Sequence, residues 1–203
     1  MKLPNDIIAL SIDEVWAARE RLVSALTARE AADFAALRYL KRRRDWLAGR
    51  MAAKRALQRH TGLSFTQLEI RAEAEGPTSG RPVAWIGARP VGCLSISHSA
   101  DLAMATWSEA QVGVDAEVVE PRDESFLSLA FTRDERRHIE AAADRDLSAT
   151  TLWCEKEAYA KYLGVGFRRS FSDLEVPTVL RREVGSIVHR GRTMCWARVG
   201  SAA

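Results

Sequence analysis

The sequence contains no long apolar run. None of its 203 residues falls in a stretch that is long and apolar enough to cross a bilayer. The first residues, MKLPNDIIALSIDEVW, are interrupted by Pro4, Asp6 and Asp13, and they lack the apolar core and the small-residue cleavage site of a signal peptide. We therefore expect a cytoplasmic protein that does not insert into a membrane.

Cysteine is scarce, with three residues far apart in the chain: Cys93, Cys154 and Cys195. They form no CxxC pair and no spacing typical of a metal site, so we expect reduced, structural thiols. A catalytic thiol needs a base. His98 is close to Cys93 in sequence, but strand alternation places the two on opposite faces.

Lysine is also rare, with 5 lysines against 25 arginines, and the net charge is only +3. The charge is uneven along the chain: residues 1–100 carry 16 basic and 10 acidic side chains, and residues 101–203 carry 14 and 17. The first half could bind a polyanion and the second half cations. The run from Lys41 to Arg44 could contact nucleic acid, but no nucleic-acid-binding signature accompanies it, and we expect no such partner.

The hydrophobic periodicity predicts helices followed by strands, twice over. Helices are predicted at 13–30, 29–40 and 44–60, and strands follow from 68 and at 83–86, 92–97, 102–107 and 111–117. The second round has helices at 123–129, 132–143 and 148–163, and strands near 174–176, 186–189 and 194–199. This pattern predicts an α+β fold of two similar α/β subdomains in a pseudo-two-fold arrangement, residues 1–110 and 111–203, with the active-site cleft between them.

Two carboxylates lie close together in the segment Gly113-Val-Asp-Ala-Glu117. Asp115 and Glu117 are two residues apart, so on a strand both side chains project from one face. Oxygen ligands of this kind suit Mg²⁺, which leaves positions for waters or phosphates. The alternative is that both acids are simply solvated at the end of a strand.

The segment from Trp153 to Lys161 predicts a helix on which Trp153, Glu157 and Lys161 share one face. A Glu–Lys pair at this spacing is normally an exposed ion pair of little value. Trp153 on the same stripe predicts partial burial, and a buried pair needs further partners, which a metal with phosphates would supply. Lys156 lies one residue off the stripe and is either a phosphate contact or a solvated residue.

The segment Ser95-Ile-Ser-His-Ser99 brings hydroxyls, an imidazole and backbone N–H groups to one strand end. Phosphate binding is one use of such a group, and a turn with local side-chain caps is the other. A Ser–His nucleophilic pair is a weaker interpretation, because adjacent residues rarely point at each other and no GxSxG elbow is present.

Taken together, these segments resemble the surfactin-synthetase-activating type of 4'-phosphopantetheinyl transferase. The resemblance covers about residues 44 to 167 and keeps the order and spacing of the family. Its motifs are Trp46-Leu-Ala-Gly-Arg50, Gly80-Arg-Pro82, Ser95-Ile-Ser-His-Ser99, Gly113-Val-Asp-Ala-Glu117, Phe131-Thr-Arg-Asp-Glu135 and Trp153-Cys-Glu-Lys-Glu-Ala-Tyr-Ala-Lys161.

The resemblance implies an enzyme that moves the phosphopantetheine arm of coenzyme A to a serine of an apo acyl or peptidyl carrier protein. The transfer would depend on Mg²⁺ and release adenosine 3',5'-bisphosphate. By motif, the resemblance implies Asp115, Glu117 and Glu157 as metal ligands, Lys161 at the phosphate under attack, Glu135 as the group that helps deprotonate serine, and Arg44, Arg81, Ser97 and His98 as coenzyme A contacts, with Lys156 a further candidate.

Arg81 stands where the family commonly has lysine, which keeps the charge but replaces a point donor with a planar fork. The alternative within the family is a divergent, inactive homologue that binds coenzyme A or the carrier without transfer. Outside it, another Mg²⁺-dependent enzyme of nucleotide diphosphates remains open. Two halves in one chain make a monomer sufficient, and the sequence does not indicate which carrier is modified.

Overall fold

The computed structural model describes residues 3–76, 78–164 and 170–201. Its first half begins with a strand, continues through four helices and ends in five strands. The elements are β1 (Ile7–Ser11), α1 (Ile12–Ala17), α2 (Arg19–Val23), α3 (Ala28–Ala36), α4 (Leu40–Thr61), β2 (Leu68–Ala72), β3 (Pro82–Ile86), β4 (Arg89–Pro90), β5 (Cys93–Ser99) and β6 (Leu102–Ser108).

The second half repeats this order with fewer elements. A strand is followed by three helices and then by a two-stranded hairpin. The elements are β7 (Val112–Val118), α5 (Glu124–Ala130), α6 (Arg133–Ala141), α7 (Arg145–Leu163), β8 (Arg181–His189) and β9 (Arg192–Gly200).

Both halves build their main sheet in the same way. The strand orders are β1-β6-β5 and β7-β9-β8, so in each half the first strand pairs with the last strand of the closing hairpin. The hairpin turns also match, because Ala100 and Arg190 both have a φ near +50°. The first half adds a separate small sheet, β2-β3-β4. The α+β fold with two similar halves is therefore confirmed.

One long helix packs on each main sheet. Helix α4 buries Leu47, Met51 and Leu57. Helix α7 lies so close to β7 that a Cβ at Gly113 would lie 1.8 Å from the carbonyl oxygen of Ala158. Both helices end in the same way, in a left-handed glycine with φ of +70° at Gly62 and +71° at Gly164.

The two main sheets meet along β5 and β7, and serine side chains join them. The hydroxyls of Ser95, Ser97 and Ser99 accept hydrogen bonds from the backbone N–H groups of Val114, Ala116 and Val118, at 3.0, 3.4 and 3.2 Å. Residue numbers rise together, so the strands run in parallel with hydroxyls in place of a backbone ladder. We call these three serines the serine ladder.

Two predicted elements differ from the structure, and one strand was not predicted. The predicted helix at 13–30 is the two short helices α1 and α2, and the unpredicted strand β1 precedes them. The strand predicted near 174–176 is wrong, because that segment follows a single 3-10 turn and has no strand partner. Gly166, part of the predicted end of α7, lies outside the described residues. The boundary between residues 110 and 111 stays a prediction. None of the described helices is long and apolar enough to cross a membrane.

Candidate active site

The two acids of β7 face the serine ladder. Asp115 is buried, and its Oδ1 accepts a hydrogen bond from the Ser97 hydroxyl at 2.6 Å. Glu117 Oε2 accepts from the Ser99 hydroxyl at 2.8 Å. Ser97 and Ser99 therefore each accept from a β7 N–H and donate to a carboxylate. The prediction that Asp115 and Glu117 share a strand face agrees with this geometry.

Helix α7 brings a third acid and a cation to the same place. Lys161 Nζ donates to Asp115 Oδ1 at 2.6 Å. Burial raises the pKa of Glu157 to about 7; the charge of Asp115 adds to this rise and Lys161 opposes it. Burial also raises the pKa of Glu117, again with a contribution from Asp115. These mutual effects show that the four side chains form one electrostatic group.

This group carries more negative than positive charge. Three carboxylates face one ammonium, and Asp115 Oδ2 is buried without a hydrogen-bond partner among the described residues. Such a balance is costly in a buried site, and a cation or protons must offset it. Within the described residues, no three His, Cys, Asp or Glu side chains are gathered closely enough to coordinate an ion as they stand.

Glu135 and Lys156 lie together, in a second group. Lys156 is only 1% exposed, and its ammonium donates to Glu135 Oε2 at 2.6 Å and to the carbonyls of Ala130 and Phe171 at 3.0 and 2.8 Å. Glu135 also accepts the N–H of Thr132, which completes the predicted capping box. Lys156 is thus enclosed by acceptors, unlike either of the roles predicted for it.

His98 lies on the first-half side of the group. Its ring packs on α4, where a Cβ at Gly49 would lie 2.4 Å from Nε2. Desolvation lowers the pKa of His98, the nearby Lys161 acts in the same direction, and Asp45 raises it. His98 lines a groove of about 410 Å³ together with Trp46 and, along the helix start, Tyr39, Lys41, Arg42 and Asp45.

The two predicted arginine contacts lie on different sides of the molecule's first half. Arg44 pairs with Asp13 and lines a pocket of about 290 Å³ that shares Lys41 and Asp45 with the His98 groove. Arg81 lies close to the end of α7, since a Cβ at Gly164 would be 3.5 Å from its Nη1. Arg81 Nη2 is buried and has no hydrogen-bond partner in the described parts of the chain.

The structure thus gathers Asp115, Glu117, Glu157 and Lys161, with Ser97 and His98 beside them, and it pairs Glu135 with Lys156 elsewhere. Sequence reasoning missed the role of Ser99 in holding Glu117. Its signal is the alternation of serine at 95, 97 and 99, which predicts three hydroxyls on one strand face. The sequence alone also offers no reason for a glycine at position 113. The close approach of α7 to β7 supplies that reason.

Burial makes Cys154 and Cys195 poor nucleophiles. All three cysteines are free, and burial raises the pKa of the Cys154 thiol well above its usual range. Because the thiolate is the reactive form, a buried thiol of this kind is inert.

Comparison with known proteins finds a family model that matches the segment holding the acids. Residues 111–198 match the model of the 4'-phosphopantetheinyl transferase superfamily. The 4'-phosphopantetheinyl transferase AcpT of Salmonella typhi is 33% identical over 128 residues, which cover 61% of this chain and 60% of that protein. The holo-[acyl-carrier-protein] synthase of Verminephrobacter eiseniae is 43% identical over 56 residues, 27% of this chain and 43% of that protein.

A solved holo-(acyl-carrier-protein) synthase of Bacillus anthracis, in complex with CoA (3',5'-ADP), aligns with 49% of this chain and 89% of its own. The identity is 25% and the TM-score 0.43, too low a likeness to support conclusions about this chain. The chain also spans less than two thirds of the curated relatives it matches, 60% of AcpT. The surfactin-synthetase type stays a prediction, and what the comparisons show is a similarity: residues 111–198 match the model of the 4'-phosphopantetheinyl transferase superfamily, the family that the sequence motifs resemble.

Proposed function

We propose that the chain transfers the 4'-phosphopantetheine arm of coenzyme A to a serine of an apo acyl or peptidyl carrier protein. The observation that carries this proposal is the group of Asp115, Glu117, Glu157 and Lys161, in which Asp115 and Glu157 are buried, within the segment that matches the family model. Three carboxylates and one lysine suit a reaction at a diphosphate, where charge must be neutralised on both the attacked and the leaving group.

Mg²⁺ fits the acids of this group. They are oxygen donors, as Mg²⁺ prefers, and they bring a surplus of negative charge together with the unpartnered Oδ2 of Asp115. We propose that Asp115, Glu117 and Glu157 hold the ion after their side chains move closer together, since as they stand they are not close enough to coordinate it. When bound, Mg²⁺ would supply charge neutralisation at the diphosphate. Deprotonation of Glu157, whose pKa lies about 7, is then part of metal binding.

Lys161 is the cation of this group that the protein itself supplies. In the reaction the P–O bond to the leaving phosphate of coenzyme A breaks and a bond from phosphorus to serine Oγ forms. Adenosine 3',5'-bisphosphate leaves, and the serine proton passes to a base or to water. Lys161 is 28% exposed in its side chain, so its ammonium can leave Asp115 partly and contact the phosphate under attack.

In this proposal the residues that bind coenzyme A lie in the first half. His98 and Arg44 lie along adjoining pockets at the start of α4, and Arg81 has an unpartnered donor near the end of α7. These groups can bind phosphates of coenzyme A. Ser97 contributes by orienting Asp115 rather than by reaching the ligand, because it is buried and already bonded.

The remaining parts of the proposal concern partners and setting. The basic first half suits an acidic carrier protein. Because site residues come from both halves of one chain, a monomer suffices for activity. A cytoplasmic setting suits coenzyme A chemistry, and neither a nucleic acid nor a membrane is a proposed partner.

Incubation with coenzyme A, Mg²⁺ and a panel of apo carriers of the fatty-acid, polyketide and peptide types tests the proposal. The expected result is a mass gain of one phosphopantetheine on the serine of at least one carrier, lost when Mg²⁺ is chelated. Coenzyme A binding with no mass gain on any carrier would favour the binding-only homologue, and neither binding nor mass gain would refute both.

A further inference from the structure

One short sequence occurs once in each half of the chain. The first copy is Ala25-Leu-Thr-Ala-Arg-Glu30 and the second is Ala130-Phe-Thr-Arg-Asp-Glu135. In both copies threonine caps a helix and the glutamate three residues later completes a capping box. A lysine on the long helix of the same half, Lys54 or Lys156, meets that glutamate.

The first copy forms a fully buried clamp. Glu30 Oε2 lies 2.5 Å from Lys54 Nζ and accepts the N–H of Thr27 at 3.0 Å. Lys54 also donates to the carbonyls of Ala25 and Phe65, at 3.3 and 2.8 Å, and to that of Leu68. One ammonium thereby ties α4 to the start of α3 and to the 3-10 turn that follows α4.

The second copy makes the same contacts at corresponding atoms. Glu135 Oε2 pairs with Lys156 at 2.6 Å and accepts the N–H of Thr132 at 2.7 Å. Lys156 donates to the carbonyls of Ala130 and Phe171, which match Ala25 and Phe65 in position. Phe171 also begins a 3-10 turn after its long helix, as Phe65 does. The agreement extends from residue type to individual oxygen atom.

The first clamp lies on a helix that carries no member of the acidic group. In α7 the residues one and five places after the buried lysine are Glu157 and Lys161, members of the acidic group. In α4 the same two places hold Arg55 and Arg59, and the lysine is followed eight places on by Gly62, as Lys156 is by Gly164. The Glu–Lys contacts are thus present in the first half although the acidic group is not. Their common role in both halves is therefore to pack the long helix.

We infer that Glu135 and Lys156 form a positioning clamp for α7, the second copy of the Glu30–Lys54 clamp, and that Glu135 does not accept the proton of the carrier serine. The clamp fixes the height and rotation of α7, and with them Glu157 and Lys161. The part of this inference that concerns the serine proton rests on the proposed function; the positioning part stands on the two sets of contacts alone.

The copies differ in two contacts: the bond from Lys54 to the carbonyl of Leu68 has no counterpart at Lys156 in the described residues, and the second oxygen of the glutamate is held in only one copy. Glu30 Oε1 accepts the N–H of Ile70 at 2.9 Å, whereas Glu135 Oε1 has no hydrogen-bond partner in the described residues and the Glu135 side chain is 22% exposed. That open oxygen is the atom a base would use. The experiment therefore has to separate loss of charge at Glu135 from loss of the clamp.

Thermal unfolding provides the first measurement, on Glu135→Gln and Lys156→Met with Glu30→Gln and Lys54→Met as matched variants. Each single change leaves a buried charge or acceptor without its partner, so we expect each to lower the Tm by about 10 °C. The double variants Glu135→Gln/Lys156→Met and Glu30→Gln/Lys54→Met should each recover part of their loss, since no lone charge remains. Additive losses in the second half would overturn the clamp.

Transfer rates at a temperature where every variant is folded provide the second measurement. We expect the Glu135→Gln/Lys156→Met variant to lower kcat by about threefold to tenfold, because Glu157 and Lys161 lose part of their positioning, with an unchanged pH profile. If Glu135 were the base instead, the Glu135→Gln change would lower kcat by about 100-fold or more, and the added Lys156→Met change would not restore it. One limb of the pH profile of kcat would also be lost. If wild type shows no transfer, the proposed function fails while the thermal measurement still decides the clamp.

Discussion

Helices α4 and α7 are held in place by the same kind of contact but carry different charged side chains at matching positions. Both bury one lysine against a capping-box glutamate, and both end eight residues later in a left-handed glycine. Between these fixed points α7 carries Glu157 and Lys161, whereas α4 carries Arg55 and Arg59. Arg55 is exposed, and Arg59 is exposed and donates to the carbonyl of Asn5.

The comparison separates what holds a helix in place from what the helix does. The buried lysine and the terminal glycine are shared by the two helices, while the residues one and five positions after the lysine differ. In the second half they meet Asp115 and Glu117 of β7. In the first half the corresponding strand is β1, which is apolar (IIALS). Only one of the two matching places can therefore gather carboxylates for a cation.

Exchanging the acid of α7 tests this difference most strongly. We expect Glu157→Gln to lower transfer by about 10³-fold, because an amide replaces a carboxylate proposed to hold the metal. Arg55→Gln, the same change of charge to amide at the matching place in α4, should leave transfer within about twofold. Mass spectrometry of the carrier measures both. Equal losses of transfer in the two variants would contradict the assignment of the metal-binding acid to α7 alone.

Close packing of helix on strand offers the next largest effect. Gly113→Ala should destabilise the fold by about 3 kcal/mol or more, because the added Cβ meets backbone atoms of Ala158 and Tyr162 in α7. Gly49→Ala in α4 meets the tip of the His98 ring, which can rotate away, so its cost should be under about 1 kcal/mol. Urea unfolding checks both, and a larger loss in Gly49→Ala would contradict the expectation.

The main pH dependence of stability below pH 7 should come from Glu157 in the second half, with a smaller opposing contribution from the lowered pKa of His98. The folded chain holds Glu157 with a pKa of about 7, whereas the ordinary value is 4.5, so the folded state binds more protons between these limits. Stability of the metal-free protein should therefore fall by about 2–3 kcal/mol as pH rises from 4.5 to 7, and then level off. The rise in the pKa of Glu117 acts in the same direction.

Glu157→Gln should flatten this slope, and Arg55→Gln should not. Urea midpoints at pH 5 and pH 8 give the comparison. Added Mg²⁺ should recover the loss at pH 8, where the carboxylates are charged. If stability still falls with pH in Glu157→Gln, another titrating group causes the pH dependence.

The serine ladder should show the smallest difference. Ser97→Ala loses the bond to the N–H of Ala116 and the charge-assisted bond to Asp115, for a cost of about 2 kcal/mol. Ser95→Ala loses only the bond to the N–H of Val114, for about 1 kcal/mol. Urea unfolding of the two variants measures the difference. Equal costs would show that the bond to Asp115 contributes nothing.

Much of the fold and the acidic group follow from local sequence. Helix α4, helix α7 and the strands β5 to β7 have clear periodicity and turn signals, so their predictions agree with the structure to within a few residues. The placement of Asp115 with Glu117, and of Glu157 with Lys161, needs only the period of a strand and of a helix. That these pairs meet each other depended on the family resemblance rather than on spacing.

The rest could not be read locally because it depends on contacts across the chain. Strand β1 lies between Asp6 and the acidic start of α1, and its strand character comes from pairing with β6, almost a hundred residues away. Lys156 resembles any surface lysine in sequence, and only the carbonyls around it reveal its burial. The repeat of Ala-x-Thr-x-x-Glu has only three matching residues, too few to predict a shared structure without the lysine contacts.

The serine ladder has a consequence for how activity can be lost. The first half supplies the hydroxyls and the second half supplies the carboxylates they hold, so the second half by itself would keep all four members of the acidic group but lose the hydrogen bonds to Asp115 and Glu117. The orientation of these two acids is thus a property of a docked pair, in the manner of a site shared between two subunits, although here one chain supplies both. Loosening of the seam between β5 and β7 would release both carboxylates without a change to any residue of the second half.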